Sequence, residues 1–447
     1  MNFKRPLPPV RAGSLSRLAA PSASVRRKGR PKAIRAVNVN LTPNSKPQNE
    51  PSVAIRNHIV LATANDYRAP DGEPRIGVYR STDGGRRFTN RLLPLPPDHA
   101  FSGDGVAAAG RRGLFLITGA AYLGEEKGSI VLYRSEDNGA TFSGPQILDL
   151  GRTSPSVFND KPFLAITPAT SRRFRNHAYV AYSRYTRNST RVSIFLVRSE
   201  DNGRTWSKPM RLTPALDANQ LGTTVAIGPE GEVYVGWMAS RNDFSRSATY
   251  EFRSSFDGGR TFTPRKRVSA VVPVLNRKLP VKSFTFRVFT LSFLGVDRSH
   301  GPHCGRLYAV WQDTRFNGNA HILLSVSDDK GASWSKPKRI DNSPLSSQNF
   351  FPFIAVSRSG EISVVYYTNR RAANLLDVYV AQSNNGGRCF RNRRVTTVSF
   401  NPVRKSAFRP PFIGDYIGVD YKPDGQIFAV WCDNRRGNED IFGGGPD

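Results

Sequence analysis

Ser81-Thr82-Asp83-Gly84-Gly85-Arg86-Arg87-Phe88 is the first of six copies of one signature. Ser135-Glu-Asp137-Asn-Gly139-Ala-Thr141-Phe142, Ser199-Glu-Asp201-Asn-Gly203-Arg-Thr205-Trp206, Ser255-Phe-Asp257-Gly-Gly259-Arg-Thr261-Phe262 and Ser327-Asp-Asp329-Lys-Gly331-Ala-Ser333-Trp334 follow. A degraded sixth copy reads Ser383-Asn-Asn385-Gly-Gly387-Arg-Cys389-Phe390. The acidic position, Asn in the last copy, recurs at spacings of 54, 64, 56, 72 and 56 residues. The residue types describe a tight hairpin turn. The carboxylate accepts backbone N–H groups across the turn, the Ser hydroxyl supports it, and Gly supplies positive φ. The closing aromatic opens the next strand.

Around each copy lies a larger unit of four expected strands. A first strand (Pro51-Ser-Val-Ala-Ile55, Phe163-Leu-Ala-Ile166, Phe353-Ile-Ala-Val356) precedes a second that ends in an aromatic (Val233-Tyr-Val-Gly-Trp237, Leu307-Tyr-Ala-Val-Trp311, Ile427-Phe-Ala-Val-Trp431). The third strand runs into the turn and the fourth leaves it. All five tryptophans occupy such repeat positions. The turns resemble the Asp-boxes (BNR repeats) of sialidases and related β-propellers, over about residues 37–443, with Asp83, Asp137, Asp201, Asp257, Asp329 and Asn385 as structural box residues. The resemblance implies an all-β fold of four-stranded blades. Six units carry a box. A seventh starts near Ala407 and runs out of chain before its fourth strand, which Ala36-Val-Asn-Val-Asn-Leu-Thr-Pro43 can supply. The expectation is therefore a seven-bladed β-propeller closed by an N-terminal strand that completes the last blade. It forms one domain, residues 36–447, behind a basic tail, residues 1–35.

The 447 residues carry 65 Lys and Arg against 35 Asp and Glu, a formal charge of +30. Eleven of the basic residues and no acidic one fall before Glu50. That bias, mixed with Pro, Ser, Ala and Gly, predicts a disordered arm with no recognisable signal peptide; localisation is left open, the family resemblance implying a secreted or surface-associated protein. Within it, Arg27-Lys28-Gly29-Arg30-Pro31-Lys32 resembles an AT-hook, so nucleic-acid contact is weighed for residues 27–32 against a simple solvated polybasic arm. No run reaches the ~18 apolar residues of a membrane helix. Aromatic residues at 11%, with 38 Gly and 32 Pro, fit short strands and tight turns. Three scattered cysteines give no disulfide framework. His300-Gly-Pro-His303-Cys304, assigned to a long insertion of the fifth unit, has ligand-type residues but no fourth partner nearby, so no metal or other cofactor is expected.

In a propeller the starts of the first strands face the central channel on the side opposite the box turns. Glu50, Asp104, Asp160, Lys161, Asp415 and Tyr416 fall there and break the repeat's symmetry, which makes them the candidates for chemistry. Arg184 and Tyr185 join them. A second set recurs four residues past each second-strand aromatic: Arg241, Arg315, Arg370 and Arg435, with Arg68 aligned and Arg184 or Arg187 in the third unit. These arginines form either a basic funnel for an anionic glycan or, with Asp66, Asp313 and Asp433 two residues upstream, a brace repeated in each unit. Repetition favours the brace.

Resemblance to sialidases implies three arginines on a sugar carboxylate, a Tyr–Glu pair and an Asp acid/base. Those enzymes have six blades and a Phe/Tyr-Arg-Ile-Pro motif that this sequence lacks, so no role transfers residue by residue. The expected function is a monomeric sialidase-like propeller acting on glycans, as a glycoside hydrolase for a sialic or uronic sugar. The alternative is a non-catalytic scaffold for anionic polymers, surfaces or protein partners, motivated by the charge.

Overall fold

In the computed structural model the chain is built from short antiparallel strands, and the described residues include one 3₁₀ turn, Leu275–Arg277, and no longer helix. The structure describes residues 37–446 apart from 125–126, 155, 169, 172, 187–190, 215–218, 242–243 and 245. Arg187 and the basic stretch 27–32 thus lie outside the described residues.

The unit of construction is a four-stranded meander. The first runs Gln48–Arg56, Ile59–Asp66, Arg75–Ser81, Thr89–Leu92, each strand antiparallel to the next. Three more sheets have the same order: Asn219–Ile227 to Lys266–Val271, Ser292–Val296 to Lys338–Arg339, and Asn349–Val356 to Arg391–Arg394. A nine-stranded sheet holds two such meanders, one starting at Phe101–Ala109 and one at Ser156–Ile166. They are stitched by two parallel pairs, Val157 with Lys127 and Phe158 with Gly128. The last sheet runs Gly418–Tyr421, Ile427–Asp433, Asp440–Gly444 and then Val39–Asn40, where Val39 pairs with Gly443 and Asn40 with Phe442. First strands stand side by side in chain order, and Gly418–Tyr421 returns beside Gln48–Arg56.

Second strands such as Ile59–Asp66 and Val233–Ser240 are buried along their whole length. They have a neighbour on each face, so they read as apolar runs without alternation. Tryptophan fills the wedge between sheets: Trp311 lies edge-on to Tyr250 at 5.8 Å, and Trp334 to Phe252 at 5.2 Å.

The repeated turns share one hydrogen-bond pattern. Ser135 Oγ donates to Asp137 Oδ1 at 2.7 Å and accepts from the Gly139 amide at 2.9 Å. Asp137 accepts from the Thr141 amide at 2.9 Å and its hydroxyl at 2.6 Å. The turns at Asp201, Asp257 and Asp329 repeat these bonds, and the turns at Asp83 and Asn385 keep the Ser contact. Partial burial opposes ionisation, but the amide and hydroxyl donors outweigh it and hold Asp137, Asp201 and Asp257 at about 2. Gly139 is required twice over. Its φ is +75°, and a Cβ there would sit 2.3 Å from Leu61 Cδ1 of the neighbouring sheet.

One sequence assignment needs correcting. His300-Gly-Pro-His303-Cys304 lies in the link between Ser292–Val296 and Leu307–Phe316, and the long insertion is residues 272–291, ahead of that sheet's first strand. The insertion buries its own apolar residues, Val274, Phe284, Phe286 and Val288, with Phe286 against Phe350, so it packs as part of the body.

Candidate functional site

Glu50, Asp104 and Lys161 occupy the same position in three successive first strands. Each sits where the register with the second strand shifts by a residue, between Asn49 and Ser52, Gly103 and Val106, and Asp160 and Phe163. Each adopts left-handed φ, 56°, 53° and 45°. A bulge residue drops out of the in–out alternation of its strand, and here that turns the side chain toward the centre. Holding a non-glycine residue in this region costs about 1–2 kcal/mol, so the surroundings must impose it. Gly222 and Phe351 hold the equivalent bulge in two other sheets, with φ of 67° and 51°. Gly414, at +86°, precedes Asp415; a Cβ on it would meet Glu50 Cγ at 2.8 Å.

These side chains converge on one ammonium. Lys161 Nζ lies 3.5 Å from Glu50 Oε1, 3.5 Å from Asp104 Oδ1 and 3.1 Å from Asp415 Oδ2. The Glu50 and Asp104 carboxyls are therefore no more than twice that distance apart across the lysine. Tyr416 donates to Asp104 Oδ1 at 3.0 Å, and the Tyr122 hydroxyl, with its single proton, bridges Asp104 Oδ2 at 3.1 Å and Asp160 Oδ1 at 2.8 Å. Asn65 donates to Glu50 Oε2 at 2.7 Å and accepts from the Asp104 amide at 2.8 Å, which locks the two bulges together. Arg287, from the insertion, grips Asp415 with two parallel bonds of 3.1 and 2.9 Å and lies between the rings of Phe289 and Phe412.

Burial separates the carboxyls electrostatically. Loss of water, aided by Asp104 and Asp415 and only partly offset by Lys161, pushes Glu50 up to about 8. Burial and the neighbouring Asp104 raise Asp160 to about 6. Burial acts on Asp104 too, but Lys161 and the Tyr416 and Tyr122 hydroxyls overcome it, so Asp104 is held below its ordinary value. Desolvation disfavours the Lys161 charge, yet its ring of carboxylates wins and keeps it firmly protonated. Tyr416 and Tyr185 are both raised, first by burial and then by Asp104 and Asp160 respectively. At neutral pH the site thus holds a proton on Glu50 beside an ionised Asp104.

Beneath the charged layer the centre is apolar. Phe163, Phe293 and Phe353, from three different sheets, meet with ring centres 4.8 to 6.3 Å apart. Together with Leu291 and Val106 they line one cavity with Asp104, Lys161 and Tyr416.

The arginines predicted as an anion funnel do not join this cluster. Arg68 pairs with Asp66 at 3.1 Å, Arg315 with Asp313 at 2.7 Å, Arg435 with Asp433, and Arg184 with Asp149. Asp66, Asp313 and Asp433 are fully buried at the ends of second strands and need a counter-charge, which the arginine two residues on supplies. Arg370 lies over the Tyr379 ring and donates to Asn342 and Tyr366. Arg241 lines a separate cleft with Arg315. Arg287, Tyr122 and Asn65 escaped the sequence reading. Tyr122 ends a second strand, where the aromatic pattern could have flagged it; Arg287 lies in an insertion outside the repeat and carried no signal.

Among the described residues no group of His, Cys, Asp and Glu is placed to hold a metal ion, and no helix is long and apolar enough to cross a membrane. A protonated acid, with a carboxylate and a tyrosine that line the cavity, is a set suited to protonating a leaving oxygen while stabilising or capturing an electrophilic carbon.

No family model matches the sequence, and no curated protein does. Solved structures do match. The α-L-arabinofuranosidase Arb93A from Fusarium graminearum superposes with a TM-score of 0.52 at 14% identity, over 74% of this chain and 92% of that one. The Hadza microbial sialidase Hz136 gives 0.51 at 13% identity, over 87% of this chain and 73% of that one. At such identities the likeness is one of fold.

Proposed function

We propose that this chain, which has the sialidase-like β-propeller fold, is a glycoside hydrolase working at the charged side of its centre on an anionic sugar, sialic or uronic. The observation that carries the proposal is the convergence of Glu50, Asp104 and Asp415 on Lys161, with Glu50, Asp104 and Lys161 each on a strained bulge of its own strand and Tyr416 bonded to Asp104. The likeness in fold to a sialidase and an arabinofuranosidase supports glycan chemistry.

In this reading Glu50 gives its proton to the glycosidic oxygen as the bond to the anomeric carbon breaks. Tyr416 Oη bonds to that carbon and passes its proton to Asp104. Water then attacks the same carbon, yielding a proton to the Glu50 carboxylate, and Tyr416 leaves with the proton held by Asp104. Lys161 keeps Asp104 ionised and orients Glu50; Arg287 fixes Asp415.

The same reading takes the fold as seven blades. It is supported by seven first strands standing side by side, the last next to the first, and by Val39–Asn40 as the fourth strand of the last sheet. The six turns, five with Asp and the last with Asn385, are then Asp-boxes, and the propeller domain spans residues 36–447.

The test is hydrolysis of a fluorogenic glycoside panel, including a sialoside and a uronide, by the full chain and by Glu50→Gln, Asp104→Asn and Tyr416→Phe. Turnover that falls at least a hundredfold in these variants, with melting curves preserved, is the expected result. Turnover indifferent to all three overturns the assignment of residues, and no turnover on any sugar overturns the hydrolase.

A further inference from the structure

A second concavity lies away from the charged centre, at the rim where the fourth meander meets the fifth. It is a cleft of about 850 Å³ lined by Arg241, Arg246, Arg265, Arg267 and Arg315, with Glu251 as the one acidic residue among the described lining. The arginines come from separate pieces of chain. Arg241 follows the second strand Val233–Ser240, and Arg246 precedes the third, Ala248–Ser255. Arg265 and Arg267 belong to the edge strand and its approach, and Arg315 reaches in from the neighbouring sheet, donating to the Ala270 carbonyl at 2.7 Å. The floor between them is made of small side chains, among them Ala239, Ala248 and Ala270, which is why the sheet rim is hollow there.

The charge inside is only partly answered. Glu251 lies 3.7 Å from Arg265, and Arg315 is held by Asp313. Arg241, Arg246 and Arg267 share the same hollow, and crowding three more guanidinium groups there is electrostatically unfavourable unless an anion is shared among them. Guanidinium forks match tetrahedral oxyanions through paired hydrogen bonds, and arginine rather than lysine fills every basic position. The volume is that of a small-ligand site, within the range of about 300–1,000 Å³.

We propose that this cleft binds a sulfated glycan chain through its sulfate groups, independently of chemistry at the centre. Nucleic acid is the less suitable polyanion. Among the described residues the lining has no aromatic ring on which a base could stack, and the arginines surround one open cleft at the rim instead of running as a stripe along a backbone. The site goes beyond the hydrolase reading and does not depend on it.

The experiment is titration of the full chain with a sulfated galactan hexasaccharide, which carries sulfate but no uronic or sialic carboxylate, at fixed ionic strength, since every polyanion contact is salt-dependent. Arg241→Ser/Arg246→Ser/Arg267→Ser removes three cleft charges. Arg86→Ser/Arg87→Ser/Arg91→Ser removes three exposed charges from the first sheet and controls for the overall field. The expected result is at least a tenfold loss of affinity for the cleft variant and less than twofold for the control, with Glu50→Gln binding as the parent does. Equal losses in the two triple variants overturn the proposal, as does equal binding of the unsulfated hexasaccharide. Weakened binding by Glu50→Gln relocates the site to the centre and overturns it too. A single-stranded oligonucleotide of the same charge that binds as tightly, and as dependently on the cleft, overturns the glycan assignment.

Discussion

Glu50 shows how far one side chain's behaviour is set by placement. Its sequence neighbours, Asn49 and Pro51, say nothing about a carboxyl that stays protonated to about 8. The shift comes from burial, which favours the neutral acid, and is limited by Lys161. This has a consequence for stability. Between its ordinary value and about 8 the folded chain holds a proton that the unfolded chain has released, so Glu50's contribution is full at acid pH and is lost as pH rises through that window. Glu50→Gln is therefore expected to flatten the fall in melting temperature between about pH 5 and pH 9, measured by thermal denaturation across buffers. An unchanged slope would mean that Glu50 ionises normally. In activity, the same group gives an alkaline limb near pH 8 that the Gln variant lacks.

At the scale of the element, the bulged first strand is the device that matters. One extra residue per strand turns Glu50, Asp104 and Lys161 out of the strand alternation, and two residues later Phe163 and Phe353 point in to form the floor. The motif Xaa-Pro-Xaa-aliphatic at Glu50-Pro51, Lys161-Pro162 and Phe351-Pro352 marks the bulge in three strands, so the strand starts were legible. Their inward turn was not, because it depends on the register with the second strand. Phe353→Ala is expected to cost about 3 kcal/mol in urea denaturation, through lost burial and the cavity left behind. Water admitted beneath the charged layer should also move the alkaline limb of activity to lower pH. A limb that stays in place would show that the floor does not set the Glu50 proton.

For the whole molecule, the first and last described strands meet in one sheet. Leu41 donates its amide to the Ile441 carbonyl at 2.8 Å, the Ile441 amide returns a bond to Thr42 Oγ1 at 2.8 Å, and Leu41 itself is buried. Deleting residues 1–36 removes none of this and is expected to leave the melting temperature in place. Deleting residues 1–44 strips the strand from Asp440–Gly444, leaving an unpaired edge and an opened core. The expected outcome is a melting temperature lower by several degrees and association that grows with concentration, followed by scanning calorimetry and light scattering. Equal stability of the two truncations would show that the strand carries no load.

Much of the fold was written locally. The six turns follow from Ser, Asp and Gly at fixed offsets, whose hydrogen bonds close within seven residues and need no partner from elsewhere. The apolar second strands and their terminal aromatics followed from periodicity, as did the Asp–Arg pairs at 66/68, 313/315 and 433/435. The site was legible only as a set of symmetry-breaking residues: Glu50, Asp104, Asp160, Lys161, Asp415 and Tyr416 were all visible, but not that one lysine would sit among three carboxylates. That depends on strands more than 300 residues apart in sequence being neighbours in space, as Asp415 and Glu50 are through the bond of 3.1 Å from the Asp415 amide to Glu50 Oε1. Arg287, the phenylalanine floor and the arginine cleft were likewise decided by tertiary structure. Short-range hydrogen bonds and periodicity are properties of a segment, whereas burial, and the protonation it imposes, belong to the assembled whole.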